Sequence, residues 1–130
     1  MDSTDLMYQE NILDHYKNPR NFGTLKNASV HHHENNPLCG DELDLYLAVD
    51  NHRVVDAKIS GHGCAISVAS ASMLSEQIKG KSLAELKKLT KENILEMLGI
   101  PLSPVRLKCA LLSLDTLKNS ILIYEKYIKK

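Results

Sequence analysis

The sequence has no apolar run approaching the roughly 18 residues that cross a bilayer, so no spanning helix is expected. It has no surplus of either charge: 16 Lys and Arg balance 16 Asp and Glu. A general nucleic-acid binder needs a basic excess to neutralise phosphates, so that class is excluded on charge. The start, Met1-Asp2-Ser3-Thr4-Asp5, is acidic and lacks a basic region followed by an apolar stretch. No secretory leader is expected, and the reducing cytoplasm is the expected location. There is no internal repeat, low-complexity tract or linker. Cysteine is scarce: Cys39, Cys64 and Cys109 make an odd count with wide gaps, which does not form a disulfide framework. No Cys-x-x-Cys pair exists, which argues against a thiol-redox role.

What is present is ordinary for a globular protein. The 130 residues are 43% hydrophobic and 25% charged, enough for a single domain, 1–130, with one core. Residues 5–17 are expected to form a helix capped by Ser3, Thr4 or Asp5, with Leu6, Leu13 and Tyr16 on one face. Asn18-Pro19 stops it. Residues 18–42 read as loop, with a short strand around Ala28–His32.

Leu43, Leu45, Leu47 and Val49 alternate with Asp44, Tyr46, Ala48 and Asp50, the pattern of a half-buried strand. After a turn at Asp50-Asn51-His52-Arg53, Val55, Ala57 and Ile59 alternate with Asp56, Lys58 and Ser60. The two strands make an antiparallel hairpin. Gly61-His62-Gly63 is expected to break the second.

A helix rich in small residues follows over 65–79 and ends at Gly80. Ser82-Leu83-Ala84-Glu85 has the form of a capping box, and Thr90 caps a further helix, 91–98, closed by Gly99. Ser103 and Pro104 open the last helix, about 104–128. Its residues Leu107, Ala110, Leu114, Leu117, Ile121, Tyr124 and Ile128 form a core-facing stripe. A coiled-coil seam is the competing reading of that stripe. The fold class is α+β: a small antiparallel sheet of about three strands, covered on one face by helices.

Three cysteines taken alone read as small buried hydrophobes. Their contexts shift the weight. Cys39 sits in a loop entering the first hairpin strand, and Cys64 at a strand-to-helix turn. There the positive end of the helix dipole favours thiolate, the form that binds metals and attacks sulfur. Cys109 lies early in the last helix, beside the apolar stripe. The gaps of 25 and 45 residues match no zinc-finger spacing. Three thiolates and one further ligand do complete a tetrahedral zinc site, and thiolates hold iron–sulfur clusters. Asp41 can supply the fourth ligand, or be a solvated turn residue. His31-His32-His33 read as a solvated loop or a secondary metal site, and His62 as a spare ligand.

Three segments resemble the cysteine motifs of the IscU/SufU/NifU N-terminal family. They are Asn36-Pro37-Leu38-Cys39-Gly40-Asp41, Gly61-His62-Gly63-Cys64-Ala65-Ile66-Ser67 and Arg106-Leu107-Lys108-Cys109-Ala110. Leu6 through Asn21 is similar to the family's opening helix and its exit, and Ala69–Ser72 and Ile78–Lys81 to its middle helix. The resemblance implies a scaffold, not a turnover enzyme, that accepts persulfide sulfur from a cysteine desulfurase. It implies iron, a transient 2Fe–2S cluster and transfer to apo-proteins. Cys39, Asp41, Cys64 and Cys109 would be the ligands, with zinc at the same positions in the purified protein. Cys39 and Cys109 would be the candidate persulfide acceptors. Asp41 would keep the cluster labile, since a carboxylate is a harder, weaker partner for such iron than a thiolate.

The sequence departs from the pattern in informative places. IscU-type members carry a His before the third cysteine, where this chain has Lys108. Arg106 and Lys108 resemble the SufU type, which implies a zinc-dependent sulfur acceptor that builds no cluster. SufU types usually have an insertion between the second and third cysteines, which this chain lacks. Leu102-Ser103-Pro104-Val105-Arg106 partly resembles the segment through which IscU types engage an Hsp70-class chaperone. A structural zinc interaction domain is a third reading.

Overall fold

The computed structural model describes residues 3–37 and 40–128, with side chains from residue 9 onward. It is α+β, in the order α1 (Ser3–Lys17), β1 (Val30–Asn36), β2 (Asp41–Asp50), β3 (Arg53–His62), α2 (Ala65–Ile78), α3 (Leu83–Lys87), α4 (Lys91–Leu98) and α5 (Pro104–Ile128). The strands form one antiparallel meander, β1-β2-β3. α2 and α5 cover its inner face and pack on each other, while α1 lies on α2. No helix among the described residues is long and apolar enough to cross a membrane.

The hairpin follows its alternation closely. Leu43, Leu45 and Leu47 point inward and are buried. Asn51 and His52 take positive φ values of 52° and 62°, the two-residue turn whose twist matches its strands. One expectation fails here: Val55 is 58% exposed, and Val54 is buried instead. The register slips between Ala48 and Val49, so β3 holds one extra residue and both Val55 and Asp56 face outward. The expected break at Gly61 also moves. β3 runs on to His62, and Gly61 pairs with Leu43 at a φ of 129°.

β1 is longer than the short strand read from the sequence, and it replaces the end of the expected loop. His31, His33 and Asn35 face solvent, while Val30, His32 and Glu34 turn toward α5. In α1 the buried face is carried by Ile12 and His15, whereas Leu13 and Tyr16 are exposed. Leu6 lies outside the described side chains.

The helix caps are where the sequence places them. Ser82 Oγ accepts the N–H of Glu85. Thr90 and Asn93 form a reciprocal capping box, and Gly99 closes α4 at a φ of 73°. The α5 stripe is intramolecular: Ala110, Leu114, Leu117 and Ile121 are buried, which removes the coiled-coil reading, while Ile128 at the far end is exposed. The small residues of α2 and α5 include buried hydroxyls. Thr116 and Ser120 donate to carbonyls four residues back.

Candidate metal centre

The meander brings the start of β2 beside the end of β3, because Glu42 pairs with His62. Asp41 and Cys64 flank that pair. Asp41, the first residue of β2, has no exposed surface. Burying a carboxylate is costly unless it is hydrogen-bonded, paired or bound to a metal. Its Oδ1 accepts the backbone N–H of Cys64 at 2.9 Å. The Cys64 thiol lies 3.9 Å from Oδ2. The alternative reading of Asp41 as a solvated turn residue is thereby overturned.

Cys64 is the N-cap of α2, with extended backbone at φ −70° and ψ 167°. Its Sγ accepts the N–H of Ser67 at 3.4 Å, filling the place of a capping hydroxyl. That N–H and the helix dipole both favour negative charge on the sulfur. Cys64 is half-buried, whereas Cys109, in the second turn of α5, is 1% exposed.

One ligand atom each from Asp41, Cys64 and Cys109 lie within 4.8 Å of one another. Around a tetrahedral zinc, ligands at about 2.0–2.3 Å stand roughly 3.5–4 Å apart, so a small closure suffices. The set mixes soft thiolates with a hard carboxylate, which suits zinc and iron. Among the described residues no other His, Cys, Asp or Glu group gathers as tightly. Cys39, two residues before Asp41, lies outside the described residues.

Gly63 is a part of the site that the sequence reading missed. A Cβ there would lie 2.5 Å from Asp41 Oδ1, so any larger residue would displace the carboxylate. The signal was present in Gly63 beside Cys64, where the glycine was given no role of its own beyond breaking the strand.

Two other readings are corrected. His62 does not join the cluster: its ring is exposed on the outer face, with Nε2 3.4 Å from Glu42. The three adjacent histidines are strand residues, not loop: His31 and His33 face outward and His32 inward. Lys108 is exposed and lines a groove of about 320 Å³ with Glu34, Pro37, Leu111 and Asp115. Burial, then repulsion from Glu34, holds the Asp115 carboxyl above its ordinary value.

This geometry is joined by close relationships to known proteins. The family model described as NifU-like N terminal domain matches residues 7–130. The zinc-dependent sulfurtransferase SufU of Bacillus subtilis is 39% identical over 134 positions, covering 90% of each chain. That alignment is longer than this chain, so the relative carries residues with no counterpart here. The iron-sulfur cluster assembly scaffold protein IscU of Haemophilus influenzae is 38% identical over 124 positions, covering 92% of this chain and 97% of the relative. The crystal structure of a SufU from Fervidobacterium islandicum AW-1, described as a cluster assembly scaffold for the SUF system, superposes with a TM-score of 0.77. It is 33% identical and covers 92% of this chain and 99% of that one. An Asp–Cys–Cys cluster on this fold, with a family match over nearly its whole length, places the chain in the NifU-like N-terminal domain family.

Proposed function

We propose that this chain, as one domain over 1–130, is an iron–sulfur cluster assembly scaffold. The observation that carries the reading is the convergence of Asp41, Cys64 and Cys109 from three different elements onto one small space. Cys39, by its place two residues before Asp41, completes a four-ligand set. These residues hold iron and a transient 2Fe–2S cluster as cargo, and the same donors accept zinc.

Sulfur arrives as persulfide from a cysteine desulfurase. A scaffold thiolate attacks the outer sulfur, the donor S–S bond breaks, and the donor cysteine leaves as thiolate. Cys39 and Cys109 are the candidate acceptors. Cys109 is almost wholly buried, so acceptance there requires the first turns of α5 to move aside. The Cys64 N–H and the start of α2 hold the Asp41 carboxylate and Cys64 sulfur in place. Asp41 is the harder, weaker ligand, which favours release of the cargo to apo-proteins. An Hsp70-class chaperone would meet Leu102–Arg106 at the start of α5, where Val105 is 62% exposed. The work is that of a carrier in the cytoplasm, and no step needs multiple turnover.

A second reading, a zinc-dependent sulfur acceptor, is favoured by Lys108 before Cys109 and by the SufU relative. Anaerobic reconstitution of metal-free protein with ferrous iron, cysteine and a desulfurase separates the two. A cluster spectrum that forms and then moves to an apo-ferredoxin is the expected outcome. Persulfide on zinc-loaded protein with no cluster formed would establish the second reading.

A further inference from the structure

The strand alternation of β1 sends His31 and His33 to the outer face of the sheet, opposite the Asp41–Cys64–Cys109 cluster. In the register His33 lies across from Asp44, and His31 across from Tyr46. Both imidazoles converge on one oxygen. His31 Nε2 stands 2.8 Å and His33 Nδ1 3.3 Å from Asp44 Oδ1. The His31 ring is stacked on Tyr46 at 4.1 Å and 10°, which fixes its plane.

Ligands at about 2.0–2.2 Å from one divalent ion stand roughly 3–3.5 Å from each other, so the His33–Asp44 separation already fits and the His31–Asp44 pair needs to open only slightly. The outer group is looser than the inner one, whose atoms all lie within 4.8 Å. Its two imidazole side chains are each 46% exposed, so the rings have room to turn toward a shared ion. Burial opposes ionisation of Asp44, but the hydrogen bonds from His31 and His33 outweigh it and hold its carboxyl below the ordinary value. Asp44 is therefore an anion at neutral pH.

We infer that His31, His33 and Asp44 form a second, thiolate-free site for a divalent transition-metal ion. Two imidazoles and one carboxylate select the zinc, cobalt and nickel class over magnesium or calcium. When the ion enters, each ring carries its proton on its outer nitrogen and turns the freed lone pair to the metal.

Anaerobic equilibrium dialysis of the metal-free full chain against cobalt(II), with visible absorption, tests this. Cobalt on thiolate gives an intense sulfur-to-metal charge-transfer band, and cobalt on nitrogen and oxygen does not. The expected result is two equivalents, the second adding no charge transfer. In His31→Gln/His33→Gln the second equivalent is lost and the charge-transfer band of the first is kept. A single equivalent in the unaltered chain, or a second one retained in the double variant, overturns the inference. So does loss of the second equivalent in His62→Gln, which would place it at Glu42 and His62. Should the double variant fail to fold, histidine ring resonances of the unaltered chain decide. Zinc beyond the first equivalent must shift two rings stacked or paired near Tyr46 and Asp44, and movement of other rings alone refutes the site.

Discussion

The carboxylate of Asp41 accepts the backbone N–H of Cys64 across the end of the β2–β3 pair, at 2.9 Å. Gly63 is the residue that makes the approach possible. Gly63→Ala puts a methyl 2.5 Å from Oδ1, and the carboxylate must move. The expected cost is about 1–3 kcal/mol of stability, together with loss of metal retention. Thermal melts and zinc content of the purified variant check both.

Cys64 has two roles that substitution can separate. Cys64→Ser keeps an oxygen to accept the Ser67 N–H, so the metal-free fold is expected to melt close to the unaltered chain. Cys64→Ala removes the cap and is expected to cost ~0.5–2 kcal/mol. Both lose the metal. Equal melting of the two variants would show that the sulfur does not cap the helix.

His15 makes stability depend on pH. It is buried, with Nδ1 2.7 Å from Ser72 Oγ, a hydroxyl that also accepts the Arg20 N–H. Burial, then the charge of Arg20, holds its pKa below the ordinary 6.5. The unfolded chain therefore binds a proton first as pH falls. Stability from this group is complete above about 6.5 and declines as pH drops from there toward the lower folded value. Urea midpoints between neutral and mildly acid pH should fall more steeply for the unaltered chain than for His15→Gln.

Asp115 works in the opposite sense. Its raised pKa means the folded chain takes up a proton more readily than the unfolded one. Asp115→Asn removes repulsion with Glu34 and should add ~0.2–1 kcal/mol at neutral pH, less in salt. The gain should vanish as acid protonates Asp115 in the unaltered chain. Paired melts at neutral and acid pH show whether it does.

The sequence was most legible where one residue type leaves one choice. Thr90 and Gly99 bounded α4, and the leucines of β2 set the sheet's inner face. Val55 misled because strict alternation cannot register a bulge, which adds a residue without changing composition. In β1 only Val30 of the inward positions is apolar; His32 and Glu34 are polar, held by a hydrogen bond to each other and one from Asn119. A polar inner face leaves no alternation of hydrophobicity to read. In α1 Leu13 is more apolar than His15, yet His15 is buried because Ser72 receives it. The motifs named Asp41, Cys64 and Cys109, which the structure brings together, but not the burial of Asp41. That depends on Gly63 passing over it, a tertiary fact.

The order of the strands along the chain also sets the order in which the centre comes together. β1, β2 and β3 are consecutive neighbours, so Asp41 and Cys64 meet by closing a short local loop. Cys109 arrives only when α5 has been made and docked. Local contacts form soonest, and a growing chain folds from its N-terminal side. The Asp41–Cys64 half of the centre is thus expected to form before Cys109 seats. A metal caught at that stage lacks the Cys109 thiolate and is expected to leave more easily. Docking of α5 is the step that turns a weak clasp into a closed one.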